Sequence, residues 1–93
     1  MTDVFGCDKT VVFFGGRHCA ACHQVLPLWM AEVEKWDGLT IQVIDAETSP
    51  LTQQLMIRRL PTILLVDEGS IVEILVGVQR PQRIRELVQR FVA

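Results

Sequence analysis

The sequence predicts an α/β fold in the order β-α-β-α-β-β-α, a four-stranded mixed sheet with helices on both faces. Three observations carry this prediction. The runs Thr10–Phe14, Thr62–Val66 and Ile71–Val76 are short, β-branched or aromatic, and read as strands. Two longer segments repeat apolar residues every three or four positions and read as amphipathic helices. Glycine and proline stand between these segments, at intervals that suit short connections. A chain of 93 residues holds one such domain, expected over 1–93. It buries roughly 60–65% of its unfolded surface, enough for a modest core.

Residues 1–9 read as a loosely held arm. The first strand, Thr10–Phe14, stops at Gly15-Gly16. A helix is expected from about Cys19 to Trp36, its apolar face made by Cys22, Val25, Leu26, Trp29, Met30, Val33 and Trp36. Trp29 and Trp36 read as core and helix-end packing. Pro27 lies inside this helix and is expected to kink it. Gly38, free to take a left-handed conformation, ends it after Asp37. Thr40–Asp45 is the second strand. Ser49 is expected to cap a short helix beginning at Pro50, with Leu51, Leu55 and Met56 facing inward. The runs Thr62–Val66 and Ile71–Val76 flank Asp67-Glu68-Gly69-Ser70 and read as a hairpin, closed by Gly77. The last helix starts near Pro81, and Ile84, Leu87, Val88 and Phe91 give it an i, i+3, i+4, i+7 stripe. The first β-α-β unit requires a right-handed crossover between parallel strands, and the hairpin adds an antiparallel pair. Continuous apolar runs, in place of alternation, point to strands covered on both faces.

Composition excludes several function classes. A net charge of −2 leaves no basic footprint for nucleic acid and no polybasic patch for a membrane surface. The longest apolar runs, Val11–Phe14 and Ile63–Val66, fall far short of the ~20 residues that span a bilayer. Asp3 and Asp8 stand where a secretory leader would carry basic residues, so a cytoplasmic setting is expected. Three cysteines are too few for a disulfide-stapled scaffold.

Two of those cysteines form Cys19-Ala20-Ala21-Cys22 at the predicted start of a helix. Three residues apart in the first turn, their sulfurs can pair or separate with little backbone movement. Their positions make them unequal. Cys19 stands at the amino end, where free N–H groups and the helix dipole favour a thiolate. Cys22 points into the apolar face, where burial disfavours the anion. The expected roles follow: Cys19 attacks a partner's disulfide, and Cys22 attacks the resulting mixed disulfide and releases reduced product. His18 and His23 flank the pair, and either, when protonated, favours the Cys19 thiolate. Cys7 is left over, either an unengaged thiol or a third, intermolecular partner.

From about Thr10 onward the chain resembles the thioredoxin family. The strand, glycine loop and dithiol from Phe13-Phe14 to Cys22 carry this resemblance, together with Pro27 five residues later and the segment Ile57-Arg58-Arg59-Leu60-Pro61-Thr62. The resemblance implies a thioredoxin-like fold and a thiol–disulfide oxidoreductase that reduces protein disulfides, with a part in electron transport and cell redox homeostasis. It implies a cis Leu60–Pro61 bond facing the dithiol, and backbone hydrogen bonds from Leu60 to an extended substrate segment. By the same resemblance Pro61, Gly77 and His18 line the substrate groove. No cofactor beyond the Cys19–Cys22 disulfide is implied, and the electron donor would be thioredoxin reductase or glutathione.

The chain also departs from the family pattern. The usual first strand and helix are missing or reduced to residues 1–9, His18 stands where a tryptophan is common, and Ala20-Ala21 replaces Gly-Pro. Phe13 occupies the place of the family's buried carboxylate, the group thought to move the proton of the second cysteine. Competing readings remain. Cys19-Ala20-Ala21-Cys22-His23 also spells the C-x-x-C-H pattern of covalent c-type haem attachment. Zinc would find Cys19, Cys22 and a histidine, but no second ligand pair. A non-catalytic interaction module with the same fold is the third alternative.

Overall fold

The computed structural model describes residues 8–93. Most of the arm expected at residues 1–9, Cys7 included, lies outside the described residues; Lys9 already belongs to the first strand. The elements are β1 (Lys9–Gly15), α1 (Ala20–Val33), β2 (Leu39–Asp45), α2 (Leu51–Gln54), β3 (Thr62–Asp67), β4 (Ser70–Val76) and α3 (Pro81–Val92). The sheet runs β2-β1-β3-β4, with β1 parallel to β2 and the other two pairs antiparallel. This is the mixed sheet read from the sequence, with β1 and β3 at its centre.

Alternation along those central strands divides the core in two. Val11 and Phe13 of β1, with Ile63 and Leu65 of β3, pack against Val25, Trp29 and Val33 of α1 and Ile84, Leu87 and Val88 of α3. The intervening Val12, Phe14, Leu64 and Val66 face the other way, toward Leu51 and Leu55 and the following Ile57. Both faces of β1 and β3 are thus covered, which is why their middles, Val11–Phe14 and Ile63–Val66, are continuously apolar. The inference fails for β4. Its run is apolar except for Glu73, yet it is an edge strand, and Ile74 and Val76 stay more than half exposed because the four-residue α2 is too short to cover them.

The connections show local chemistry at work. Glu68 and Gly69 both have positive φ, 50° and 82°, as a two-residue turn matching the twist of a hairpin requires. α1 ends at Val33, short of Trp36, because the last turn tightens: Lys35 N–H donates to Glu32 O and Trp36 N–H to Val33 O, both i to i−3. The cap differs from expectation: Pro50 is the N-cap of α2, and Ser49, one residue further out, still accepts the Leu51 N–H through Oγ at 3.2 Å. Met56 does not face inward. With φ at 57° it turns out into solvent, and Ile57 takes the inner place.

Candidate functional site

The residues singled out by the sequence converge at one end of the sheet, where β1 gives way to α1. Gly15 and Gly16 form the bend. A Cβ on Gly15 would lie 3.0 Å from the Phe13 ring, tighter than side chains usually pack, and 3.4 Å from the Cys22 Cβ, so the Phe13 ring crowds this position while α1 lies at contact distance. A Cβ on Gly16 would lie 3.2 Å from Leu60 Cδ1 and 3.9 Å from the Cys19 Cβ. That missing side chain lets Leu60 approach the first cysteine.

Cys19 is the N-cap of α1, with extended dihedrals (φ −94°, ψ 99°), and the helix proper starts one residue later than expected. Its Sγ accepts the backbone N–H of Cys22 at 3.1 Å, the bond a cap side chain makes to one of the free amides of a first turn. Cys19 and Cys22 are joined as a disulfide, with Cα atoms 5.2 Å apart. Cys19 is partly exposed, whereas Cys22 is 3% exposed and belongs to the core beside Val25 and Trp29. The asymmetry read from the spacing is therefore present in the burial.

The Leu60–Pro61 bond is cis, and Pro61 is buried at the start of β3. The Gly77 amide donates to the Pro61 carbonyl at 2.8 Å, and Gly77 has φ of 90°. Pro61 and Gly77 are thus joined backbone to backbone at the end of the sheet where β1 gives way to α1, and Leu60 packs at Gly16 near Cys19. His18 stands apart from them, exposed in the loop before Cys19. His23 reaches back from α1: its Nε2 donates to the Arg17 carbonyl at 2.9 Å and pins the loop to the first turn. Among the described residues, no group of three or more His, Cys, Asp or Glu side chains gathers as a metal-ligand set.

One feature was not read from the sequence. A cleft of about 200 Å³ opens beside Cys22, between α1 and the β2 edge. Phe13, Leu26 and Val43 form its apolar wall, and Arg17, His23 and Asp45 also line it. Asp45 enters because β1 and β2 are parallel in a register that pairs Gly15 with Asp45. The signal was the lone carboxylate closing the apolar strand Thr40–Asp45.

Comparison with known proteins agrees with this geometry. The thioredoxin family model matches residues 4–90. A "Thioredoxin H-type" protein of Populus jackii is 31% identical over 70 residues, covering 74% of this chain; the chain spans half the length of that relative. Among solved structures, oxidized mitochondrial thioredoxin 3 from Saccharomyces cerevisiae superposes with a TM-score of 0.81 at 18% identity, covering 92% of this chain and 81% of that one. The reduced Schistosoma mansoni thioredoxin pre-protein gives 0.78 at 23% identity, covering 91% and 80%. The four-stranded mixed sheet with its flanking helices is the thioredoxin-like fold, and this chain belongs to the thioredoxin family.

Proposed function

We propose that the chain is a thiol–disulfide oxidoreductase that reduces protein disulfides through Cys19 and Cys22. The observation that carries this reading is the inequality of the two sulfurs. Cys19 caps α1 and accepts a backbone N–H, which favours its thiolate, while Cys22 is buried, which disfavours one. In the reduced protein the Cys19 thiolate attacks a substrate disulfide. One substrate sulfur leaves as thiolate, and a mixed disulfide forms. Cys22 then loses its proton and attacks the Cys19 sulfur. The Cys19–Cys22 disulfide forms, the mixed disulfide breaks, and the second substrate thiolate departs. Two electrons pass from the dithiol to the substrate; the one proton released by Cys22 and a second from solvent protonate the two departing thiolates.

The Leu60–Pro61–Gly77 unit supports an extended substrate segment beside the disulfide, held by backbone hydrogen bonds. Reduction by thioredoxin reductase or by glutathione, and a cytoplasmic setting, belong to the same proposal. The haem reading requires both sulfurs and His23 Nε2; the disulfide and the Arg17 carbonyl engage those three atoms. Reduction of insulin with dithiothreitol as electron source tests the proposal. The protein is expected to hasten precipitation of the insulin B chain, and Cys19→Ser to lose this effect. A folded protein that leaves insulin reduction at the background rate is a binding module, and the catalytic reading falls. A reduction potential near the roughly −270 mV of reductant thioredoxins supports the reducing direction, while one near −120 mV reverses it.

A further inference from the structure

We infer that Asp45 exchanges the proton of Cys22, through water held in the cleft between α1 and β2; this rests on the oxidoreductase reading above. When Cys22 resolves a mixed disulfide its buried thiol must first be deprotonated, and Phe13 supplies no acceptor from β1. The parallel register provides one from the next strand. Gly15 lies opposite Asp45, and a Cβ on Gly15 would sit 3.4 Å from the Cys22 Cβ. Neighbouring strands are about 4.8 Å apart, so Asp45 stands one strand spacing beyond that point, and alternation puts it on the same face as Phe13 and Gly15. Gly15, which has no side chain, lines the same cleft as Asp45 and Cys22 and puts nothing between them. At about 200 Å³ the cleft has room for bridging water.

The remaining groups of the cleft narrow the choice. Asp45 is its one carboxylate among the described residues. Its Oδ1 accepts the Glu47 N–H at 2.9 Å, which fixes the side chain and leaves Oδ2 for water. Arg17 carries no acceptor. His23 gives Nε2–H to the Arg17 carbonyl and keeps Nδ1 as a competing acceptor, which its own substitution separates below. Glu47 lies on the other side of the bend, its Oε1 3.5 Å from where a Gly16 Cβ would be, toward Cys19. In the step, the Cys22 S–H bond breaks and its proton passes through water to the Asp45 carboxylate. The thiolate attacks Cys19 Sγ, the Cys19–Cys22 bond forms, and the bond to substrate breaks. The departing substrate thiolate then receives a proton from solvent.

The test is a single turnover of the reduced protein, in a Cys7→Ser background, with 5,5′-dithiobis(2-nitrobenzoate). Release of the first thionitrobenzoate reports attack by Cys19, and release of the second reports resolution by Cys22. Asp45→Asn keeps the acceptor for Glu47 N–H. It is expected to leave the first phase unchanged, and to slow the second by about tenfold or more at pH 7. The difference should shrink at alkaline pH, where hydroxide deprotonates Cys22 directly, and Asp45→Glu should restore part of the rate. An unchanged second phase overturns the proposal, and so does equal slowing of both phases. If His23→Gln slows the second phase and Asp45→Asn does not, the proton travels through the histidine and the proposal fails. A wild-type protein with no first phase sinks the oxidoreductase reading itself, and this inference with it.

Discussion

The backbone amide of Gly77 donates to the carbonyl of Pro61 at 2.8 Å, joining the end of β4 to the start of β3 at the end of the sheet where β1 gives way to α1. Gly77 makes this bond with φ at 90°, a conformation that side chains with a Cβ rarely adopt. A Cβ there would meet nothing within 4 Å. Gly77→Ala therefore carries a backbone penalty without a steric one, about 1–2 kcal/mol. For a domain of this size the melting temperature should fall by roughly 4–8 °C per kcal/mol. Gly77→Asn should cost less, because asparagine tolerates positive φ better than alanine. Equal melting temperatures for wild type and Gly77→Ala would show that the positive φ is not needed.

Gly15 is constrained in a different way, by packing. A Cβ at this position would come within 3.0 Å of the Phe13 ring and 3.4 Å of the Cys22 Cβ. Phe13 is buried between β1 and α1 and has little room to yield. Gly15→Ala should destabilise by about 1–3 kcal/mol through overpacking. Phe13→Leu alone should also destabilise, by removing buried surface. Combined, the two should cost less than their sum, because the smaller side chain vacates the space the new methyl needs. Urea unfolding of the four proteins measures the coupling. A strictly additive cycle would mean that the Phe13 ring does not exclude the side chain.

At the carboxyl end of α1, Glu32 is 5% exposed and accepts from Lys35 Nζ at 3.2 Å and from Trp36 Nε1 at 3.4 Å. Lys35 is well exposed, so the ion pair contributes little, within about 1 kcal/mol. The hydrogen bond to the indole matters more, since it holds Trp36 in the tightened turn that follows the helix. Glu32→Gln keeps an acceptor for the indole and should stay within about 1 kcal/mol of wild type. Glu32→Ala removes it and should cost about 1–3 kcal/mol. Chemical denaturation at low and high salt separates the two contributions. If Glu32→Gln were as damaging as Glu32→Ala, the charge and not the hydrogen bond would hold the turn.

The parts of this molecule that were legible in the sequence are those decided by local chemistry or by burial on two faces. Val11–Phe14 of β1 and Ile63–Val66 of β3 are continuously apolar because helices cover both their faces. The Ile84, Leu87, Val88 and Phe91 stripe locates α3 without reference to anything else. The dithiol and the Leu60-Pro61-Thr62 segment stand out in the sequence, and the fold brings them to the same end of the sheet. What stayed hidden depends on tertiary register. Within the run Ile71–Val76 only Glu73 marks an edge strand against a central one, and the length of α2 decides how much of it stays exposed. Met56 fits an inward helical position until the chain takes a positive φ there. Asp45 looks like a polar strand end, and its place beside Cys22 exists only once β2 lies parallel to β1.

The unequal sulfurs lead to the most direct prediction. The hydrogen bond that Cys19 Sγ accepts comes from the backbone of Cys22, not from its side chain. Replacing Cys22 by serine therefore leaves the donor in place, together with the helix amino end behind it. In a Cys7→Ser background, Cys19 of Cys22→Ser should be alkylated by iodoacetamide at pH 6 at least about tenfold faster than Cys22 of Cys19→Ser, because thiolate fraction governs the rate. Burial of Cys22 widens the gap by limiting access as well as ionisation. Exposed to a disulfide substrate, Cys22→Ser should accumulate a stable mixed disulfide through Cys19, seen by mass spectrometry as the sum of chain and half-substrate and removed by dithiothreitol. Cys19→Ser should form no adduct on the same timescale. Faster alkylation of Cys22, or an adduct that forms only in Cys19→Ser, would exchange the roles of the two cysteines and detach nucleophilicity from the amino end of α1.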